Sequence, residues 1–300
     1  MQVISYDFEY AVTKKVEQSL WQCHVFLNGE YRKALSRLNT QNQAVQRRKM
    51  DKLYRGFLKT SESFYLVYIQ QLHKRFSIPE LQQFALPAGT QPTENLDEDL
   101  CPPAPLRALV LKSCQSTLVR LGDLARYRCQ SSDKVTKATF DKASDYYGLA
   151  NSLDPDDGSA HHQLAVLHQI LDQHFEIVYH FHRAISISKP HELALRNLER
   201  EFKSPGSSSQ ARKGPVKDRS EAMVTWFVRL HAFFFHGKQF SQQSELEEEV
   251  LHRVELALKS EGFEALLLKM ILVNMAAYDI STDRVKCKLL VFLICPFNTR

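Results

Sequence analysis

Tyr147 and Phe181 stand 34 residues apart, Ala150 and Ala184 stand 34 apart, and Pro155 and Pro190 stand 35 apart. A spacing that returns an aromatic, a small residue and a helix-ending proline together leaves few folds open. Each unit is long enough for two helices and a turn, and neither unit can bury its apolar face without a neighbour. The first pair of helices is expected over 106–128 and 134–153, ended by Asp154-Pro155 and the turn residues Asp156-Asp157-Gly158. The second pair is expected over 161–172 and 175–188, ended by Lys189-Pro190.

Thirty-four residues is the tetratricopeptide period. Leu118-x-x-Leu121-Gly122 fits the start of that repeat, with Leu in place of its Trp, and Ala143-x-x-x-Tyr147 fits its second helix. Gly122, Ala143 and Ala150 are small because the helices of a hairpin approach closely there. Tyr147, and Phe181 with Ala184 in the next unit, fill the space between units. The departure is an insertion of about nine residues around 130–139, beyond what the repeat period accommodates. Two units alone are too few for a stable stack, so flanking helices must complete it. They are expected over 7–38, broken at Asn28-Gly29, over 53–77, and over 191–203. With only 10 Gly and 11 Pro in 300 residues, the chain lacks the turn residues of a β-rich fold. The fold class is therefore all-α.

Around this array lie segments of other character. Residues 39–52 are a polar run containing Arg47-Arg48-Lys49, which reads either as a solvated face or as a phosphate-contacting patch. Residues 78–105 form a long Pro-containing loop. The segment 204–219 is rich in Gly, Pro, Ser and Lys and reads as a flexible linker. It divides a domain at 1–203 from the start of a second helical domain at 220–281. In that second part, FEALLLKMILVNMAAY reads as a helix buried on all sides. The tail 282–300 carries an apolar run that is atypical for a chain end, and an altered or truncated end is expected there.

No nucleotide-binding glycine loop, metalloprotease His pair or nucleophile elbow is present in the sequence, and catalysis is not expected. The histidines between His161 and His191 lack the i, i+4 His spacing of a metal site, so neither a metal nor a cofactor is expected. The six cysteines are scattered and read as reduced thiols. The first residues do not form a secretory signal, no stretch is long and apolar enough to span a membrane, and no membrane partner is expected. A net charge of +5 is compatible with an acidic or phosphorylated partner.

The segments LVRLGDLARYR, HHQLAVL and FHRAISISKPHELALRNLEREF, with Trp21 and the following YRKALSRL, resemble the ever-shorter-telomeres family in its filamentous-fungal form. That family includes the telomerase-associated subunit of yeasts and adaptors of nonsense-mediated mRNA decay. The resemblance runs over about residues 10–281 and implies a 14-3-3-like tetratricopeptide domain followed by part of a helical hairpin domain. GDLARY lines up with the GDYYRY segment of 14-3-3 proteins, which implies that Arg126 and Tyr127 grip phosphate. A guanidinium offers paired, charge-assisted bonds to phosphate oxygens, and a phenol adds a neutral donor. The resemblance carries a further basic position to Arg32 and places His162 where relatives have a polar amide. Read from the residues alone, Arg126 and Tyr127 equally fit an internal ion pair and a core hydroxyl.

The resemblance implies a non-enzymatic adaptor of nonsense-mediated mRNA decay that recognises a phosphorylated Ser/Thr segment, with the decay helicase as that phosphoprotein and mRNA-decay factors as further partners. It also implies nuclear and cytoplasmic location and pairing with a paralogue. The alternative is a telomerase-associated protein that binds single-stranded telomeric DNA or telomerase RNA through Arg47, Arg48, Lys49 and the linker. A peptide-binding scaffold without phosphate dependence is the third reading.

Overall fold

The computed structural model describes residues 6–38, 43–81, 102–131, 137–204, 219–236, 243–258 and 262–284. The described residues hold eleven α-helices and no strand beyond one isolated bridge. They are α1 (Phe8–Thr13), α2 (Val16–Arg37), α3 (Ala44–Phe76), α4 (Ala104–Gln130), α5 (Asp141–Leu153), α6 (Ser159–Ile170), α7 (His174–Ser186), α8 (Ala194–Phe202), α9 (Arg219–His236), α10 (Gln243–Ala257) and α11 (Glu264–Arg284). The chain divides into two compact units, Met1–Pro155 and Asp156–Arg300.

In the first unit, α3 packs against α2 and α4, and α4 against α5. One core gathers Phe8, Tyr68, Leu72, Phe76, Val110 and Cys114. A second seam is aromatic, with Trp21, His24 and Tyr31 of α2 meeting Tyr54, Phe57 and Tyr65 of α3 at ring separations of 5.4 to 6.0 Å. Between these seams lies a carboxylate that three helices share. Glu17 of α2 accepts from Tyr68 of α3 at 2.8 Å, and from Ser113 at 2.8 Å and Arg120 at 3.2 Å of α4. Its charge is half-buried and matched, which is the condition for keeping such a group against a core.

Two expectations change here. Asn28-Gly29 does not break α2, which runs through it. Asn28 is buried and hydrogen-bonded, and a Cβ placed at Gly29 would meet nothing within 4 Å, so no tight turn is needed there. The third helix begins at Ala44 rather than near 53, so the polar run contributes its first turns.

Gly122 shows why α4 and α5 can lie so close. A Cβ added there would sit 2.3 Å from Cε1 of Tyr147, whose ring is fully buried. Only glycine leaves room for that ring.

In the second unit, α7 is the central helix, packed by α6, α8, α9 and α11. The core joins Phe175, Phe181, Leu198 and Phe202 to Phe227, Val250 and Val273 in one cluster. The helices after 204–219 share a core with the second hairpin, as helices that pack on the preceding domain would. The composition change at 204–219 marks a stretch of polar chain; burial of the apolar faces of α9 and α11 against α7 decides the unit. Residues 205–218, 82–101 and 285–300 lie outside the described residues, and with them most of the linker, the long loop and the tail. Nor is α11 buried all round: Leu268, Met275 and Tyr278 are exposed. The α7–α8 turn is tied back to the start of the unit, where Gly158 N–H donates to Lys189 O at 3.0 Å and Lys189 N–H to Asp156 O at 2.9 Å.

Candidate functional site

Side chains of α4 and α5 in the first unit converge on Arg126. Its Nη2 donates to Oδ1 of Asp123 at 2.8 Å and its Nε to the hydroxyl of Tyr147 at 3.2 Å. The Tyr147 hydroxyl donates in turn to the same Asp123 oxygen at 2.7 Å. The guanidinium also lies over the Tyr127 ring, 4.8 Å from its centroid. Arg126 is only 8% exposed. A buried, hydrogen-bonded guanidinium of this kind has lost its freedom before any ligand arrives.

Arg32 of α2 stands close enough to act electrostatically on the Tyr127 hydroxyl, and on Tyr54 of α3 together with Arg126. It is exposed and makes no hydrogen bond or ion pair among the described residues. Burial pushes Tyr54 up to about 12, and burial followed by the Asp123 charge raises Tyr127. Both phenols therefore hold their protons at neutral pH; Tyr54 donates its own to Asn28 Oδ1 at 2.6 Å, and Tyr127 is the phenol left to face a ligand. Two guanidiniums, one carboxylate and a protonated phenol make a site suited to an oxyanion.

Arg126 and Tyr127 are thus in contact, and Arg32 lies within electrostatic reach of Tyr127. His162 belongs to the second unit, where it is buried, stacks on His191 at 3.7 Å and accepts from the Asn197 amide through Nε2 at 2.9 Å. Arg47, Arg48 and Lys49 are exposed on the first turns of α3. Leu118, Leu121, Gly122, Ala143, Tyr147, Ala150, Phe181 and Ala184 are all buried. Packing and site are not separable, because Tyr147 both fills the space over Gly122 and holds Arg126.

Sequence reasoning passed over Asp123, Tyr54 and Asn28. Asp123 was within reach, since an acid three residues before an arginine on one helix is a pairing position. Tyr54 and Asn28 were not, because they meet across 26 residues.

In the second unit, His168, Glu176 and His180 each bring one ligand atom to within 4.8 Å of the others. Such a group falls outside a search for His pairs on one helix, because its members come from α6 and α7 and one is a glutamate. Lys269 already holds both Glu176 oxygens at 2.7 and 2.8 Å, so a cation entering there would compete with a formed ion pair. The histidines here are buried or half-buried. His161, His162 and His182 are buried, and His161 Nδ1 lies 2.9 Å from His180 Nδ1.

Comparison with known proteins fits this architecture. Residues 15–132 match the family model of the telomerase activating protein Est1, and residues 143–289 match that of the Est1 DNA/RNA binding domain. The two stretches together cover most of the chain, and the second begins within α5 of the first unit. The chain belongs to the Est1/SMG7 family. It is 27% identical to the nonsense-mediated mRNA decay factor SMG7 of Danio rerio over 86% of its own length and 21% of that protein's. It is 26% identical to the telomere elongation protein est1 of Schizosaccharomyces pombe over 60% of its length and 38% of that protein's. It therefore spans less than half of these relatives. Among solved structures it is similar in fold to a chain of the C. elegans SMG5–SMG7 complex, with a TM-score of 0.59, 19% identity, and coverage of 92% of this chain and 61% of that one. A chain of the Est1 and Cdc13 crystal structure gives a TM-score of 0.71 at 11% identity, covering 96% and 59%.

Proposed function

We propose that this chain is a non-enzymatic adaptor whose first unit recognises a phosphorylated Ser/Thr segment, and that it serves nonsense-mediated mRNA decay in the nucleus and cytoplasm. The observation that carries the reading is the buried Arg126 guanidinium, fixed by Asp123 and Tyr147, with Tyr127 and the unpaired Arg32 beside it. A phosphate there gains charge-assisted bonds from groups that need little ordering. The alignment with an mRNA-decay factor over 86% of the chain supports the biological setting. In this reading the phosphoprotein is a decay helicase, and further decay factors or a paralogue bind elsewhere on the chain.

An array of phosphoserine peptides, each beside its unmodified twin and with an oligonucleotide control, tests the reading. Wild-type protein is expected to prefer phosphorylated spots at least about tenfold, and Arg32→Glu to lose that preference. Equal signal on both members of every pair overturns it.

The second reading is direct binding of single-stranded telomeric DNA or telomerase RNA. The match of residues 143–289 to a DNA/RNA binding domain favours it. Arg47, Arg48 and Lys49 lie outside that stretch. Nucleic-acid binding would survive Arg32→Glu and fall steeply with salt.

A further inference from the structure

Asn28 is the one buried residue of α2, a helix of 22 residues. A buried amide in mid-helix needs a reason, since an apolar residue would fill the place without a hydrogen-bonding obligation. Its Oδ1 accepts from the Tyr54 hydroxyl at 2.6 Å. Tyr54 is itself buried and packed against Tyr31, with the rings tilted and their centroids 5.4 Å apart, so the amide is held by a rigid partner. Because Oδ1 is taken by a donor, the Nδ2 hydrogens are the part of the amide left to act. Nδ2 makes no hydrogen bond among the described residues, and it is not among the sealed, unpartnered polar atoms of the chain.

Where Asn28 stands gives that donor a task. It is four residues before Arg32, on the same face of α2. The Tyr54 hydroxyl that holds it lies in the field of Arg32, Arg126 and Tyr127 together. We infer that Asn28 is a further phosphate ligand, an uncharged amide donor aimed by Tyr54 at the oxyanion that Arg32, Arg126 and Tyr127 bind. This rests on the phosphate-binding reading of the site. Its chemistry is specific. Asp123 already offsets one of the two guanidiniums, so the site completes its hold on a phosphate with neutral donors from Asn28 and Tyr127. A phosphate has enough oxygens to use all of them, whereas a carboxylate has only two. The site should therefore favour phosphoserine over a glutamate or aspartate in the same peptide.

Asn28→Asp removes the donor and sets a charge against the phosphate. It is isosteric and keeps an oxygen for Tyr54, but replaces the NH2 group by an anionic acceptor. Tyr54→Phe keeps the ring contacts and frees the amide. Both are measured in the full chain on the array of paired phosphoserine and unmodified peptides, with glutamate-substituted peptides added and unfolding midpoints recorded. Asn28→Asp is expected to lose the phosphoserine preference by tenfold or more, with binding of unmodified peptide unchanged. Tyr54→Phe is expected to lose a smaller part of it, about threefold, as a positioning residue does. If wild-type protein prefers phosphoserine and Arg32→Glu abolishes this, but Asn28→Asp stays within twofold of wild type, Asn28 is no ligand while the phosphate reading stands. If wild-type protein shows no preference at all, both fail together. Should Asn28→Asp unfold, Tyr54→Phe decides: an unchanged preference there overturns the assignment.

Discussion

Arg32 and Arg126 should answer charge reversal differently, although both belong to the proposed site. Arg32 is exposed and unpaired, so Arg32→Glu is expected to change stability by no more than about 0.5 kcal/mol while removing phosphate binding. Arg126→Glu leaves Asp123 buried beside a second acid, and a loss of about 3–5 kcal/mol in urea unfolding is expected. The two arginines thus separate binding from folding, and Arg32 is the cleaner probe. Gly122 gives a third case. Gly122→Ala drives a methyl group into the Tyr147 ring and should cost about 1–3 kcal/mol. Because Tyr147 also holds Arg126, the same change should weaken phosphopeptide binding, whereas a residue that only packs would leave affinity alone. Arg126 and Tyr127 were legible in the sequence because they lie in one short segment. Asn28 was misread, its pairing with Gly29 suggesting a turn, because only the fold brings Tyr54 to it.

Helix pairing follows the same division between local and distant information. The second hairpin and its closing proline were visible from spacing alone, since a 34-residue period records packing that repeats. The glutamate that joins α2, α3 and α4 was not, because its partners lie up to 103 residues away. Glu17→Ala strands Arg120 and releases Tyr68 and Ser113, and a loss of about 3–5 kcal/mol is expected from chemical denaturation of the full chain. A change under 1 kcal/mol would mean that the three helices do not depend on that carboxylate. The segment 204–219 reads as a linker because its composition changes, and composition reports solvation. Only the shared core of Phe181, Phe227 and Val273 shows which helices fold together.

Taken as a whole, the molecule should be acid-sensitive through its second unit. Burial lowers His182 to about 4 and His231 to about 3. Unfolded, each would titrate near 6.5, so the unfolded chain takes up protons first as pH falls. Their contribution is complete above about pH 6.5 and is lost progressively toward pH 4. By pH 4.5 each should have cost about 2–3 kcal/mol. Urea midpoints between pH 7.5 and 4.5 check this, and a flat profile over that range would contradict it. The first unit bears the proposed recognition. Isothermal titration of the full wild-type chain with a phosphoserine peptide and its unmodified twin tests this most directly. At least about tenfold tighter binding of the phosphorylated peptide is predicted, with the difference gone in Arg32→Glu at an unchanged unfolding midpoint. Equal affinity for the two peptides in the wild-type protein would contradict the account.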